Sequence, residues 1–149
     1  MKIAVVIILC LIAALGWIRL APSDPARWHV DPLEAPPPGV SGVLMRPAGG
    51  DFAGPVFAAP PEVTLAAFDQ RISQLPRISR LAGSVEAGHV TYVVRSRLFG
   101  FPDYISVRAV PDGAGSTLAV FSRLRFGLSD MGVNRARLER WLDGFQPAS

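Results

Sequence analysis

VTYVVRSRLFGFPDYISVRAVPDGAGSTLAVF, residues Val90–Phe121, decides the fold. Apolar side chains recur there at every second position, the period of a strand with one face turned inward. Val90, Tyr92 and Val94 alternate with Thr91 and Arg95, with Val93 breaking the pattern. Ile105, Val107 and Ala109 alternate with Ser106 and Arg108. Leu118 and Val120 alternate with Ala119 and Phe121, a run that is apolar on both faces. Pro111-Asp112-Gly113 supplies turn chemistry between the second and third runs. Three strands joined by short connections make an antiparallel meander.

Working outward, a weaker strand is expected from Ile78 to Val85, closed by a turn near Gly88. Leu65, Phe68, Ile72 and Leu75 follow helical spacing, and Pro76 ends that helix. A last helix carries Val133, Leu138, Trp141, Leu142 and Phe145 on one side, with Arg135, Arg137, Glu139, Arg140 and Asp143 mostly on the other. Val43 to Met45 suits a short strand, and Phe52 to Phe57 a segment lying over the core. The predicted class is α+β: an antiparallel meander of about four strands, flanked by an N-terminal and a C-terminal helix and preceded by one transmembrane helix.

The transmembrane expectation rests on Ile3 to Ile18, a run without a charge, bracketed by Lys2 and Arg19. It falls between a cleaved signal's core of about 7–15 residues and a full span of about 20. Leu20 and Ala21 extend it if Arg19 snorkels, and Trp17 suits the interface. Arg19-Leu20-Ala21 does not offer small residues at both cleavage positions, and Pro22 follows. An uncleaved signal anchor over residues 1–21 is therefore expected, in the inner (plasma) membrane, single-pass, with the rest exported to the periplasm. Cys10 is the sole cysteine, and Leu9 before it does not suit a lipoprotein site. Ten of the 14 prolines lie from Pro22 to Pro61, including Pro36-Pro37-Pro38. Residues 22–39 read as a semi-rigid tether, with Trp28 and Val30 as docking side chains, and 40–149 as the domain.

The chain has 149 residues and a net charge of +3, and the only lysine among its 15 basic residues is Lys2. Arginine suits bidentate pairing with carboxylates or phosphates. Neither His29 nor His89 has metal-ligand spacing, and His89, after Gly88, is expected at an exposed hairpin. No phosphate loop or dinucleotide fingerprint is present. No metal or cofactor is implied, and an exported domain argues against nucleic acid as a partner.

Two polar blocks stand apart. One is Arg95-Ser96-Arg97-Leu98-Phe99-Gly100-Phe101-Pro102-Asp103-Tyr104; the other runs from Ser122-Arg123-Leu124-Arg125 to Arg137. Gly127, Ser129, Asp130, Gly132, Asn134, Arg135 and Arg137 fit a Gly-x-Ser-Asp-x-Gly-x-Asn-Arg run, with a further arginine just beyond it, that opens the last helix. Together the blocks resemble DUF1499, a bacterial and plastid family without an assigned function, over roughly residues 40 to 145. The sequence departs from that family's pattern at Tyr104, where many members have an acid, at Leu124, often a serine, and in lacking an early asparagine-cysteine pair. The resemblance implies a fold and no activity.

Physically, Ser129 or Asp130 can cap the last helix, and Gly127 and Gly132 permit a tight approach to it. Arg95 and Arg97 share one strand face, as do Arg123 and Arg125. Close in sequence across a turn, Arg125 and Asp130 are expected to pair. Two readings of the cluster stand side by side: an Arg–Asp network that pins the two blocks together, or an anion site for a lipid headgroup, phosphate or carboxylate. Function follows as a non-enzymatic, membrane-anchored envelope module that binds or assembles, its partner an anionic lipid or an envelope protein. The alternative is a hydrolase using Asp103 or Asp130.

Overall fold

The computed structural model describes residues 1–148. The order is α1 (Lys2–Leu20), the single-turn α2 (Pro25–Trp28), β1 (Gly42–Met45), β2 (Val56–Phe57), α3 (Pro61–Ser73), β3 (Ile78–Ser84), β4 (His89–Arg95), β5 (Pro102–Asp112), β6 (Gly115–Leu124) and α4 (Val133–Leu142). The class is α+β, as the periodicities imply. The four expected strands form the meander β3-β4-β5-β6, and β1 returns to pair antiparallel with β6, giving the order β1-β6-β5-β4-β3. The two-residue β2 pairs with the other half of β6, Val56 opposite Thr117. Pro111 lies inside β5, opposite Ser116, so the turn shifts to Gly113 and Ala114.

One sheet face carries both long helices. Val90, Tyr92, Ile105, Val107, Leu118 and Val120 meet Leu65, Phe68 and Ile72 of α3, Leu138 and Trp141 of α4, and Phe145 beyond it. Tyr92 is buried, and its hydroxyl donates to Asp69 on α3, which also takes Arg80 of β3 (2.8 Å). Burial raises the Asp69 pKa, but the Tyr92 and Arg80 donors outweigh it and hold the carboxylate low. Leu75 lies past the helix and is exposed, because the chain turns at Pro76.

The opposite face is also covered, which departs from the spacer expected over residues 22–39. The segment from Ala21 to Ala35 is built into the domain as a strap. Trp28 stacks on Tyr104 of β5 with ring centroids 4.0 Å apart. Val30 and Ala35 pack on Leu44 and Phe121. Asp31 pairs with Arg108, and the His29 Nδ1 and Thr91 Oγ1 share a hydrogen bond of 2.8 Å. His89 is not an exposed hairpin residue: it is half-buried and stacks on His29 at 3.9 Å. The physical cause lies in β6, whose residues from Ser116 to Arg123 are buried on both faces. A strand apolar on both sides needs two covers.

Two outcomes follow. Trp28→Ala uncovers Tyr104 and removes the stack, and should lower stability by about 2–3 kcal/mol in thermal unfolding of the solubilised chain. Burial, with the neighbouring His29 charge, pushes His89 down to about 4 from 6.5. As pH falls below 6.5 the unfolded chain binds that proton first, so stability drops until about pH 4. The site is half-exposed, which limits the loss to about 1 kcal/mol. Melting temperature measured from pH 7 to 4 should fall less in His89→Asn than in the wild type.

Candidate functional site

Strand alternation divides each of the two polar blocks between the two faces of the sheet. On the helix face, Ser122 of β6 points at α4 and donates to Asn134 Oδ1. Arg137 donates to the same oxygen at 2.7 Å and to Asp103 Oδ2 of β5 at 2.8 Å. Asn134, Arg137, Leu138 and Trp141 recur at helical spacing and are the buried residues of α4. Arg137 thus lies on the inner side of the helix, not the outer side expected for it, and Val133 is exposed instead. Burial raises the Asp103 pKa from its ordinary value, and the Arg137 charge does not fully offset this. The buried Asn134 Nδ2 has no hydrogen-bond partner among the described residues.

Asp130 does not pair with Arg125. Its carboxylate accepts the backbone N–H groups of Gly132 (2.9 Å) and Asn134 (3.1 Å), at the start of α4. Ser129 accepts from the Met131 N–H. Gly127 and Gly132 both have positive φ, 113° and 78°, which lets the chain turn sharply into the helix.

The strap face holds Arg123, Arg125 and Arg95. Arg123 is 8 % exposed; it donates to the Trp28 carbonyl at 2.7 Å, and its guanidinium lies 4.2 Å from the Phe121 ring centroid. Burial lowers its pKa to about 10, so it stays charged at neutral pH. Arg125 donates to the Tyr104 hydroxyl and the Pro22 carbonyl, each at 2.9 Å. Arg95 donates to the Gly100 carbonyl at 3.0 Å. Arg97 does not share its strand: β4 ends at Arg95, and Arg97 is exposed on the loop. Arg135 pairs with Glu139 on the solvent side of α4. The expected single cluster therefore divides. Asp103, Asn134 and Arg137 come together; Arg123 and Arg125 face away from them.

Tyr104, Trp28 and Ser122 escaped selection as site residues. Ser122 shares the inward parity of Leu118 and Val120, a signal that was available in the sequence. Nothing local marks Trp28 as the partner of a residue 95 positions away.

A shallow depression of about 130 Å³ lies between the loops, bordered by Asp103, Asp130, Ser96 and Ser129. Both histidines are at the opposite end of the sheet, where His89 pairs with Arg108. Among the described residues, no three His, Cys, Asp or Glu side chains are grouped to hold a metal ion.

The family described as a protein of unknown function, DUF1499, matches residues 29–145. The match covers most of the chain, which therefore belongs to that family. Its start at residue 29 takes in the second half of the strap, from His29 to Ala35. Comparison with curated proteins and with solved structures returned no match.

A double-mutant cycle checks the helix-face network. Arg137→Met strands a buried carboxylate and should cost about 3–5 kcal/mol. Asp103→Asn should cost less, and the double variant should fall short of the sum by about 1–3 kcal/mol. Additive losses in chemical denaturation would rule out direct coupling.

Proposed function

We propose, from membership of a family with no assigned chemistry, that this chain is a membrane-anchored, non-enzymatic envelope module that binds or assembles at the membrane surface. The observation that carries the reading is the junction between α1 and the domain. The helix is long and apolar enough to cross a membrane, and the domain buries none of its residues. Nineteen residues rise about 28 Å, close to the ~30 Å hydrocarbon layer. Immediately after it, Ala21 is buried, the Pro22 carbonyl accepts from Arg125, and Ser23 Oγ lies 2.7 Å from the Tyr104 hydroxyl. A leader destined for removal needs no such anchoring of the residues beside it. The weak positive bias of Lys2 and the amino terminus supports export of the domain.

Two features favour binding over catalysis. The Asp130 oxygens accept from two backbone N–H groups, and Asp103 is engaged by Arg137. Neither acid has a histidine beside it. The hydrolase alternative draws on one observation, the raised pKa of Asp103 in a depression shared with Asp130.

Alkaline phosphatase or green fluorescent protein fused after Ser149 tests the orientation: active phosphatase and a dark fluorescent fusion are expected. A fluorescent, phosphatase-inactive pair would overturn export. N-terminal sequencing of the mature chain should begin at or near Met1, and a start at or after Pro22 would overturn retention.

A further inference from the structure

The end of the sheet that receives α1 holds a basic cavity that the polar networks leave unused. Its volume is about 210 Å³, and its lining includes Arg19, Arg77, Arg95 and Arg97, with Ser79 and Ser96 among them. Among the described residues, the salt bridges hold Arg80, Arg108, Arg135 and Arg137, and none of these four. Among the described residues, the Arg95 side chain has only the neutral Gly100 carbonyl as a hydrogen-bond partner. Guanidinium groups gathered without a carboxylate repel one another, and a bound anion relieves that repulsion. Ser96 Oγ accepts from the Phe101 N–H at 2.9 Å, leaving its own proton to donate.

Arg77 is held at φ 64°, a left-handed conformation that residues with a Cβ seldom adopt. Its carbonyl accepts from the Arg95 N–H at 2.9 Å, which ties two of the four arginines together through the backbone. Such conformations persist where the surroundings impose them, often at binding sites.

Depth identifies the anion. Arg19 lies one residue from the end of α1, and the chain has no slack before its first contacts with the domain at Ala21 and Ser23. With α1 across a bilayer, the cavity falls in the headgroup layer. The flanking loops expose apolar tips at the same end: Leu98 (78 %) between β4 and β5, and Leu128 (93 %) and Met131 (87 %) between β6 and α4. Exposed apolar tips around a cationic centre complement the boundary of an anionic membrane.

We propose that this cavity binds the phosphodiester of an anionic phospholipid, with the two loop tips seated at the acyl boundary beside it. The proposal rests on the membrane-anchored reading and names the ligand of that module.

The test uses the full chain in nanodiscs of phosphatidylcholine with about 30 % phosphatidylglycerol. Native mass spectrometry of the released protein counts the lipids it retains. The wild type should retain phosphatidylglycerol over phosphatidylcholine by about fivefold relative to the bulk, and the exposed control Arg135→Gln should match it. Arg77→Gly with Arg97→Gln should lower that preference by about threefold or more; glycine suits the positive φ. Arg97→Gln alone, on an exposed loop, should lower it partly, which keeps the test decisive if the double variant misfolds. About 10 mM inorganic phosphate should leave the preference unchanged. Equal retention of both lipids, a preference that survives the Arg97 and Arg77 changes, or an equal loss in Arg135→Gln would overturn the proposal. Displacement by inorganic phosphate would overturn the lipid assignment in favour of free phosphate. A chain that stays in the disc without lipid preference rejects this site alone, whereas a chain that does not remain in the disc rejects the anchor as well.

Discussion

The double-sided burial of β6 is the constraint on which the rest of the structure depends. Its backbone is paired along both edges, with β5 on one side and β1 and β2 on the other. Its side chains from Ser116 to Arg123 are removed from water on both faces. Helices α3 and α4 satisfy one face. The other would leave Phe121 and Tyr104 in solvent if the segment after α1 were a loose spacer. Trp28, Val30 and Ala35 cover that apolar and aromatic surface, and its burial offsets the cost of ordering the segment. The strap is thus a consequence of the sheet.

That cover has a mechanical result. A proline-rich spacer would let the domain range away from α1. A strap that starts at Ala21 gives it a fixed seat against the end of α1 instead. Arg125, Tyr104 and Ser23 form the join, and the loops around Leu98 and Leu128 project beside it. This short connection decides which residues lie beside the end of α1.

The arginines divide by the environment they meet. Arg137 enters the core with a carboxylate, as a buried cation requires. Arg123 is buried with a carbonyl and aromatic faces, a combination that suits the weakly hydrated guanidinium better than an ammonium. Arg19, Arg77, Arg95 and Arg97, near α1, have no carboxylate in a salt bridge with them among the described residues. The contrast separates cations paired inside the fold from those that have no acidic partner there.

Local chemistry in the sequence established much of this protein. The alternation from Val90 to Phe121 determined the meander, Leu65-Phe68-Ile72 the first long helix of the domain, the charge-free run after Lys2 the membrane-length helix, and Asp130 with Gly132 the start of α4. Even the need for a second cover was legible in the Leu118–Phe121 run, apolar on both faces. These are properties of spacing along the chain, which dihedral preferences and side-chain periodicity translate directly into local structure. Only the tertiary structure decided that Arg137 meets Asp103, that Arg125 reaches Pro22 and Tyr104 in place of Asp130, that the strap closes over β5, and that Arg19 joins Arg77, Arg95 and Arg97. Those pairings depend on strand register and on which apolar faces remain uncovered once the sheet has formed. That competition is settled between residues up to 103 positions apart, so proximity along the chain carries no record of it.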